Sequence, residues 1–261
     1  MKKLTTLVFL VGVLLATYTY RDEIIGFLVA KVIDNSEVSL EYKNSYYLNY
    51  NFEFVKNVDE FDIKDKDDLS NINGFVHPFN SFDTVETSYD SFGRVRLSII
   101  KTYTDLEIVE INEKIKQIVD DKLKNKSDKR EIIKIVHDYI INSTKYDKDR
   151  TDHNIITYAS NTAYGVLFEG YGICSGYADA MALFLNYYNI PNYKVASENH
   201  VWNAVYLDGK WYHLDLTWDD PILSSGEEVL DDTYFLITTE KLKEINDSQH
   251  RFDDTIFREL A

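Results

Sequence analysis

The spacing of apolar residues along this chain changes several times, and each change marks an expected element. Residues 4–20 are uncharged and mostly apolar, with Val8, Phe9, Leu10, Val11, Val13, Leu14 and Leu15 at the centre. Residues 24–34 mix apolar and polar positions in a way that fits a helical stalk. Residues 38–42 and 51–55 alternate apolar with polar, the pattern of a half-buried strand. Residues 65–73 are polar with Leu69 and Ile72 at helical spacing, which predicts a short helix. Residues 84–90 and 94–103 predict two strands around Ser91-Phe92-Gly93, with Val95, Leu97 and Ile99 on one face of the second.

The period then becomes helical. Residues 105–123 carry an apolar stripe of Ile108, Ile111, Ile115, Ile118 and Val119. Ser127 is the expected N-cap of a second helix over 131–144, with Arg130 rather than Glu at the third position and therefore no capping box. Tyr146-Asp147 opens a polar loop through about Asn161. Gly165, Gly170, Gly172 and Gly176 punctuate the approach to Cys174. Residues 178–188 predict a helix that is apolar on most sides, hence buried, with Cys174 at its approach and Pro191 ending it. Residues 194–196 predict a strand. Residues 201–207 and 210–216 are two strand-like runs joined by Asp208-Gly209, a strong two-residue hairpin signal.

This alternation of helices and antiparallel strands is an α+β pattern. It divides the chain into residues 1–21, a stalk and small α+β region over 22–104, and a larger domain over 105–261. With 261 residues, 44% hydrophobic and 14% aromatic, there is material for a packed core, so the chain is globular. A net charge of −16 and the lack of any basic stripe argue against nucleic acid as a partner. Met1-Lys2-Lys3 before the apolar run, and Arg21-Asp22-Glu23 after it, give the charge layout of an export segment. A cleaved signal peptide and an uncleaved signal anchor both fit. Ala16-Thr17-Tyr18 is a poor cleavage site, and the run is slightly shorter than the roughly 20 apolar residues of a span. The anchor is preferred, which places the protein on the cell membrane facing outside the cytoplasm, or secreted.

Cys174 is the only cysteine and can make no internal disulfide, so in an exported protein it is a candidate reactive thiol. The start of a helix favours negative charge, and the thiolate is the nucleophilic form of cysteine. In the hairpin register set by Asp208-Gly209, Leu207 faces Lys210, Trp202 faces Asp215 and His200 faces Thr217. His200, Trp202, Ala204, His213 and Asp215 then share one face, with His200 and Asp215 as diagonal neighbours about 7–8 Å apart at the backbone. A carboxylate there orients an imidazole and sets its tautomer. If the Cys174 helix packs on that face, nucleophile meets base. His213 shares the face and competes for the role of base; His200 is preferred because it opens the strand, nearer a cleft. The aromatic residues nearby are expected to be core. One cysteine and scattered histidines have no zinc spacing, and no dinucleotide or phosphate-loop fingerprint is present, so no metal and no cofactor are expected.

Three segments together carry a resemblance: Gly172-Ile173-Cys174-Ser175-Gly176-Tyr177-Ala178, then His200-Val201-Trp202-Asn203, then the run from Asp208-Gly209-Lys210-Trp211-Tyr212-His213 through Leu214-Asp215-Leu216-Thr217-Trp218-Asp219-Asp220. In order and spacing they resemble the transglutaminase-like superfamily of papain-type cysteine acyltransferases and hydrolases. The resemblance covers about residues 107–221. It departs from many relatives at Leu216, where they carry proline. It implies a core with the catalytic cysteine at a helix N-terminus packed on an antiparallel sheet, and a triad of Cys174, His200 and Asp215; the Asn199 and Trp202 surroundings strengthen His200. Tyr146 and Trp202 are implied as candidates to line the cleft or support the oxyanion. The expected function is acyl transfer or hydrolysis at protein or peptide amides through a thioester. A catalytically silent binding module at the cell envelope and a cysteine peptidase are the alternatives. Oligomeric state is not legible.

Overall fold

The computed structural model describes residues 73–89, 95–220 and 231–261. The apolar segment 1–21, the stalk, the strands expected at 38–42 and 51–55, and all but the last residue of the helix expected at 65–73 lie outside them. The described residues fall into two units, 86–89 with 95–98 in one and 73–85 with 99–220 and 231–261 in the other. Two strands, β1 (Phe82–Tyr89) and β2 (Val95–Lys101), pair with each other, close to their expected bounds. Everything below concerns the larger unit.

Two helices follow, α1 (Asp105–Lys122) and α2 (Lys129–Ser143). Thr104 opens α1 with a reciprocal capping box. Its hydroxyl accepts from the Glu107 N–H, and the Glu107 carboxylate accepts from the Thr104 N–H at 2.8 Å. The cap of α2 is Asp128, one residue beyond the expected Ser127. Its carboxylate accepts from the Glu131 N–H at 2.8 Å, and a charged acceptor at the positive end of a helix is the stronger cap. The polar loop expected from Tyr146 is not all loop. It starts with the short strand β3 (Lys145–Tyr146), and Asp147 caps the short helix α3 (Lys148–His153). After a π-helical turn over Gly165–Glu169, β4 (Tyr171–Gly172) pairs in parallel with β3, setting Tyr146 opposite Gly172.

Helix α4 (Cys174–Tyr187) runs through the core, its residues from Gly176 to Leu185 all buried. It packs on α2 and on the antiparallel sheet β5 (Asn192–Ala196), β6 (Val201–Leu207) and β7 (Lys210–Leu214), in the order β5-β6-β7. The fold is therefore α+β, with the cysteine at a helix N-terminus against an antiparallel sheet. The β6–β7 register is the one expected, Leu207 on Lys210 and Ala204 on His213. Asp208 and Gly209 both take positive φ, at 53° and 81°, as a turn matched to strand twist requires. The third strand stops at Leu214, two residues short of expectation, because Asp215 turns its side chain onto the backbone ahead of it. A last helix, α5 (Thr239–Ile245), and a 3₁₀ turn at Arg258–Leu260 close the chain over the sheet. Phe75 stacks against Tyr193 and Phe257, so residues before α1 and after α5 share one aromatic cluster.

Candidate active site

Cys174 is the first residue of α4, where N–H groups have no acceptor within the helix. Two backbone contacts seat that turn. Ile173 N–H donates to the Ser160 carbonyl at 2.8 Å, and the Ser175 hydroxyl donates to the Asn161 carbonyl at 3.0 Å. Gly176 is required here, because a Cβ would collide with the Ser160 carbonyl oxygen. Cys174 is half-buried, whereas His200 and Asp215 are buried.

His200 sits just before β6, and its Nε2 donates to Asp215 Oδ2 at 2.5 Å. That leaves Nδ1 as the ring atom available toward the thiol. Burial opposes charge on His200, but the Asp215 carboxylate and then the neighbouring Cys174 outweigh it and raise its pKa to about 10. Asp215 follows β7. Its Oδ1 accepts from the N–H groups of Thr217 at 2.9 Å and Trp218 at 3.3 Å, an Asx-type turn that halts the strand. Burial alone would raise the Asp215 pKa. The charge on His200 and the hydrogen bonds from His200 and His250 win, and hold it well below the usual carboxylate range.

His213 is set apart from this pair. Its Nδ1 accepts the Trp202 indole N–H at 2.9 Å, and its Nε2 lies 3.0 Å from the Thr239 hydroxyl. Burial, and then the neighbouring His250 and Lys243, lower its pKa to about 3, so it stays neutral. Trp202 is buried and stacks on the His200 ring, centroids 5.7 Å apart and planes 17° apart. Its single N–H is committed to His213, so it is a shelf for the imidazole rather than an oxyanion donor. Tyr146, held beside Gly172 by the β3–β4 pairing, is half-buried; burial raises its phenol pKa, with the charge of Cys174 the next contributor.

The loop bearing Asp215 is pinned at both ends of its Asp219-Asp220 pair. Asp219 Oδ2 lies 3.1 Å from His137 Nε2 on α2, and Oδ1 accepts the Tyr234 N–H at 2.8 Å. Burial raises the Asp219 pKa to about 6 against these bonds. Tyr177 on α4 donates its hydroxyl to Asp220 Oδ2 at 2.5 Å. Thus the tyrosine three residues after the thiol ties the helix to the carboxylate loop. A cavity of about 240 Å³ borders the site, lined by Ser175 and Val201, the chain neighbours of Cys174 and His200, and by a buried ion pair in which Lys194 Nζ meets Asp179 Oδ1 at 2.5 Å.

Sequence reasoning missed His250. It is buried, with Nε2 2.8 Å from Asp215 Oδ2 and Nδ1 2.7 Å from Asp247 Oδ2. The available signal was local: Asp247 and His250 stand three apart just past α5, the spacing at which an aspartate accepts the backbone N–H of the residue three on, here at 3.0 Å. Nothing in the chain pattern ties that turn to Asp215. The ring nitrogens of His200 and His250 and the Asp215 oxygen lie within 4.8 Å of one another, a spacing that a cation could bridge. Both imidazoles instead direct Nε2 at the carboxylate, which satisfies the three groups among themselves.

Residues 116–216 match the family model of the transglutaminase-like superfamily. No curated protein matches the chain. Solved structures similar to it include a TGase, at 16% identity with a TM-score of 0.39 over 52% of this chain and 44% of that one. A protein assigned as a cysteine protease from Cytophaga hutchinsonii shares 16% identity, with a TM-score of 0.31 over 51% of this chain and 61% of that one. A protein assigned as a protease from Parabacteroides distasonis shares 13%, with a TM-score of 0.28 over 58% and 41%. The chain spans less than two thirds of the length of each. Residues 116–216, which contain Cys174, His200 and Asp215, are a transglutaminase-like domain.

Proposed function

We propose that this protein is a cysteine enzyme that transfers or hydrolyses acyl groups at protein or peptide amides, with Cys174, His200 and Asp215 as its triad. The observation that carries the reading is the placement of His200, between a half-exposed thiol at a helix start and a buried, fully hydrogen-bonded carboxylate. The Cys174 thiolate attacks the amide carbonyl carbon and forms the C–S bond. First-turn N–H groups of α4 receive the developing oxyanion. His200, as imidazolium, gives its proton to the departing nitrogen as the C–N bond breaks. Water or a primary amine then attacks the thioester, losing its proton to His200, and the thiolate leaves. Asp215 keeps its charge and holds the ring so that Nδ1 addresses the thiol. Tyr146 lines the cleft at the thiol. The charge layout of residues 1–23 supports action outside the cytoplasmic membrane, with the apolar segment as anchor.

The deciding experiment incubates the protein with a glutamine-containing peptide and a primary amine and reads peptide mass. Amine incorporation, deamidation or backbone cleavage, each abolished by Cys174→Ala, supports the thioester reading and says which acceptor is used. An unchanged peptide set, together with Cys174 alkylation by iodoacetamide no faster than a free thiol, leaves the silent binding module standing instead.

A further inference from the structure

We infer that His250 is a positioning residue of this site, an imidazolium hydrogen-bonded to a carboxylate at each ring nitrogen, which clamps Asp215 and moderates its pull on His200. The inference rests on the thioester reading above, and it starts from a shared atom. Asp215 Oδ2 takes both the 2.5 Å bond from His200 Nε2 and the 2.8 Å bond from His250 Nε2. The other ring nitrogen of His250 faces Asp247 Oδ2 at 2.7 Å. Ionised carboxylates only accept, so an imidazole with a carboxylate oxygen at each nitrogen carries hydrogen on both, or else one of the carboxyls is protonated. Asp215 Oδ1 accepts the N–H groups of Thr217 and Trp218, and Asp247 Oδ1 accepts those of Gln249 and His250, so both carboxyls stand as acceptors. The hydrogen therefore sits on His250.

Aromatic rings hold His250 in this position. The ring stacks on Tyr234 at 4.6 Å and meets Trp202 at 4.8 Å and Trp218 at 5.4 Å, near edge-on. The titratable groups facing it are Asp247 on its own turn, Asp215 and His213 from β7 and the turn after it, His200 beside β6, and Tyr234 from the segment before α5. His213 is neutral and Tyr234 is an un-ionised phenol whose pKa burial raises further, so two carboxylates balance the two imidazoles. The rings of His200 and His250 are 5.2 Å apart and nearly perpendicular. A positive charge there disfavours a second one on His200, and a shared oxygen holds the His200 proton less tightly than an unshared one. A base held too strongly by Asp215 keeps the proton that the leaving amine needs. His250 lowers that hold without touching the reacting atoms.

The test separates charge from shape. Asp247→Asn keeps Oδ1 as acceptor for the Gln249 and His250 N–H groups, while its amide donates to His250 Nδ1 and makes the ring neutral with hydrogen on Nε2 alone. Imidazole ¹⁵N spectra of the wild type are expected to show His250 with hydrogen on both nitrogens at neutral pH, and those of Asp247→Asn with hydrogen on one. In Asp247→Asn the alkaline limb of Cys174 alkylation, where His200 loses its proton, should move up by about one pH unit. His250→Gln, which still donates to Asp215 without charge, should move it the same way. A wild-type His250 with one hydrogen, or variant profiles superimposing on the wild type, overturns the inference. A wild-type thiol no more reactive than a free cysteine removes the thioester reading on which it rests, whatever the spectra of His250 show.

Discussion

At the residue scale, the two histidines of the β6–β7 hairpin have opposite electrostatics although they share a sheet face. His200 meets a carboxylate and is raised to about 10; His213 sits beside an indole N–H and a hydroxyl, and its burial lowers it to about 3. The prediction is asymmetric. His200→Ala should slow iodoacetamide labelling of Cys174 near neutral pH by tenfold or more, about the gain expected of an activated thiol. His213→Ala should leave the labelling rate within about threefold while lowering Tm, because it strands the buried Trp202 N–H at a cost of about 1–3 kcal/mol. Equal slowing by both variants would mean that the wrong histidine has been assigned. The serine expected to cap α2 lost to Asp128 for a related reason: between adjacent residues able to cap, the charged one makes the stronger bond at a helix start.

At the scale of elements, the N-terminus of α4 is a junction. It is seated on Ser160 and Asn161 by backbone contacts, and tied to the Asp215 turn by Tyr177 and Asp220. Gly176→Ala should fold less stably by about 1–3 kcal/mol, the usual range for a forced overpacking, and slow alkylation of Cys174 because the first turn is pushed off Ser160. Denaturant unfolding paired with labelling kinetics checks both. Tyr177→Phe removes one buried bond to a charged acceptor, worth about 1.5–3 kcal/mol, and should reduce peptide turnover more than peptide binding, since it loosens Asp215 rather than the cleft. Within this element the chain pattern was informative. Glycine spacing and an apolar helix after Cys174 were visible in sequence, as was the Asp208-Gly209 turn that sets the His200–Asp215 register. The strand bounds were less so, because Asp215 competes for its own backbone.

At the scale of the whole molecule, the site makes stability depend on pH. The folded His200 value of about 10 lies above its reference of 6.5, so the stabilisation from its charge is complete below 6.5 and is lost as pH rises toward 10. Asp215 is depressed below its reference of 3.8, so its contribution is present above that value and is lost as pH falls below it. Between these limits the ion pair contributes fully. The Tm of the wild type relative to Asp215→Asn should therefore be greatest between about pH 4 and 6.5 and shrink on both sides. Calorimetry across pH checks this, and a constant difference would show that the pair adds no linked charge energy. Asp219, which burial raises from 3.8 to about 6, has a contribution present below 3.8 that is lost as pH rises through about 6.

The sequence by itself determined what depends on near neighbours and on period: the helices α1, α2 and α4, the hairpin and its register, and the thiol at a helix start. These follow from side-chain spacing and turn chemistry, which act over a few residues. Only the tertiary structure decided what His213 and Trp202 do with each other, and that His250 shares the Asp215 carboxylate. The second depends on where a turn 35 residues beyond Asp215 comes to rest beside a buried aromatic cluster. A buried polar atom takes whichever partner packing brings within about 3 Å, and no local pattern encodes that distance.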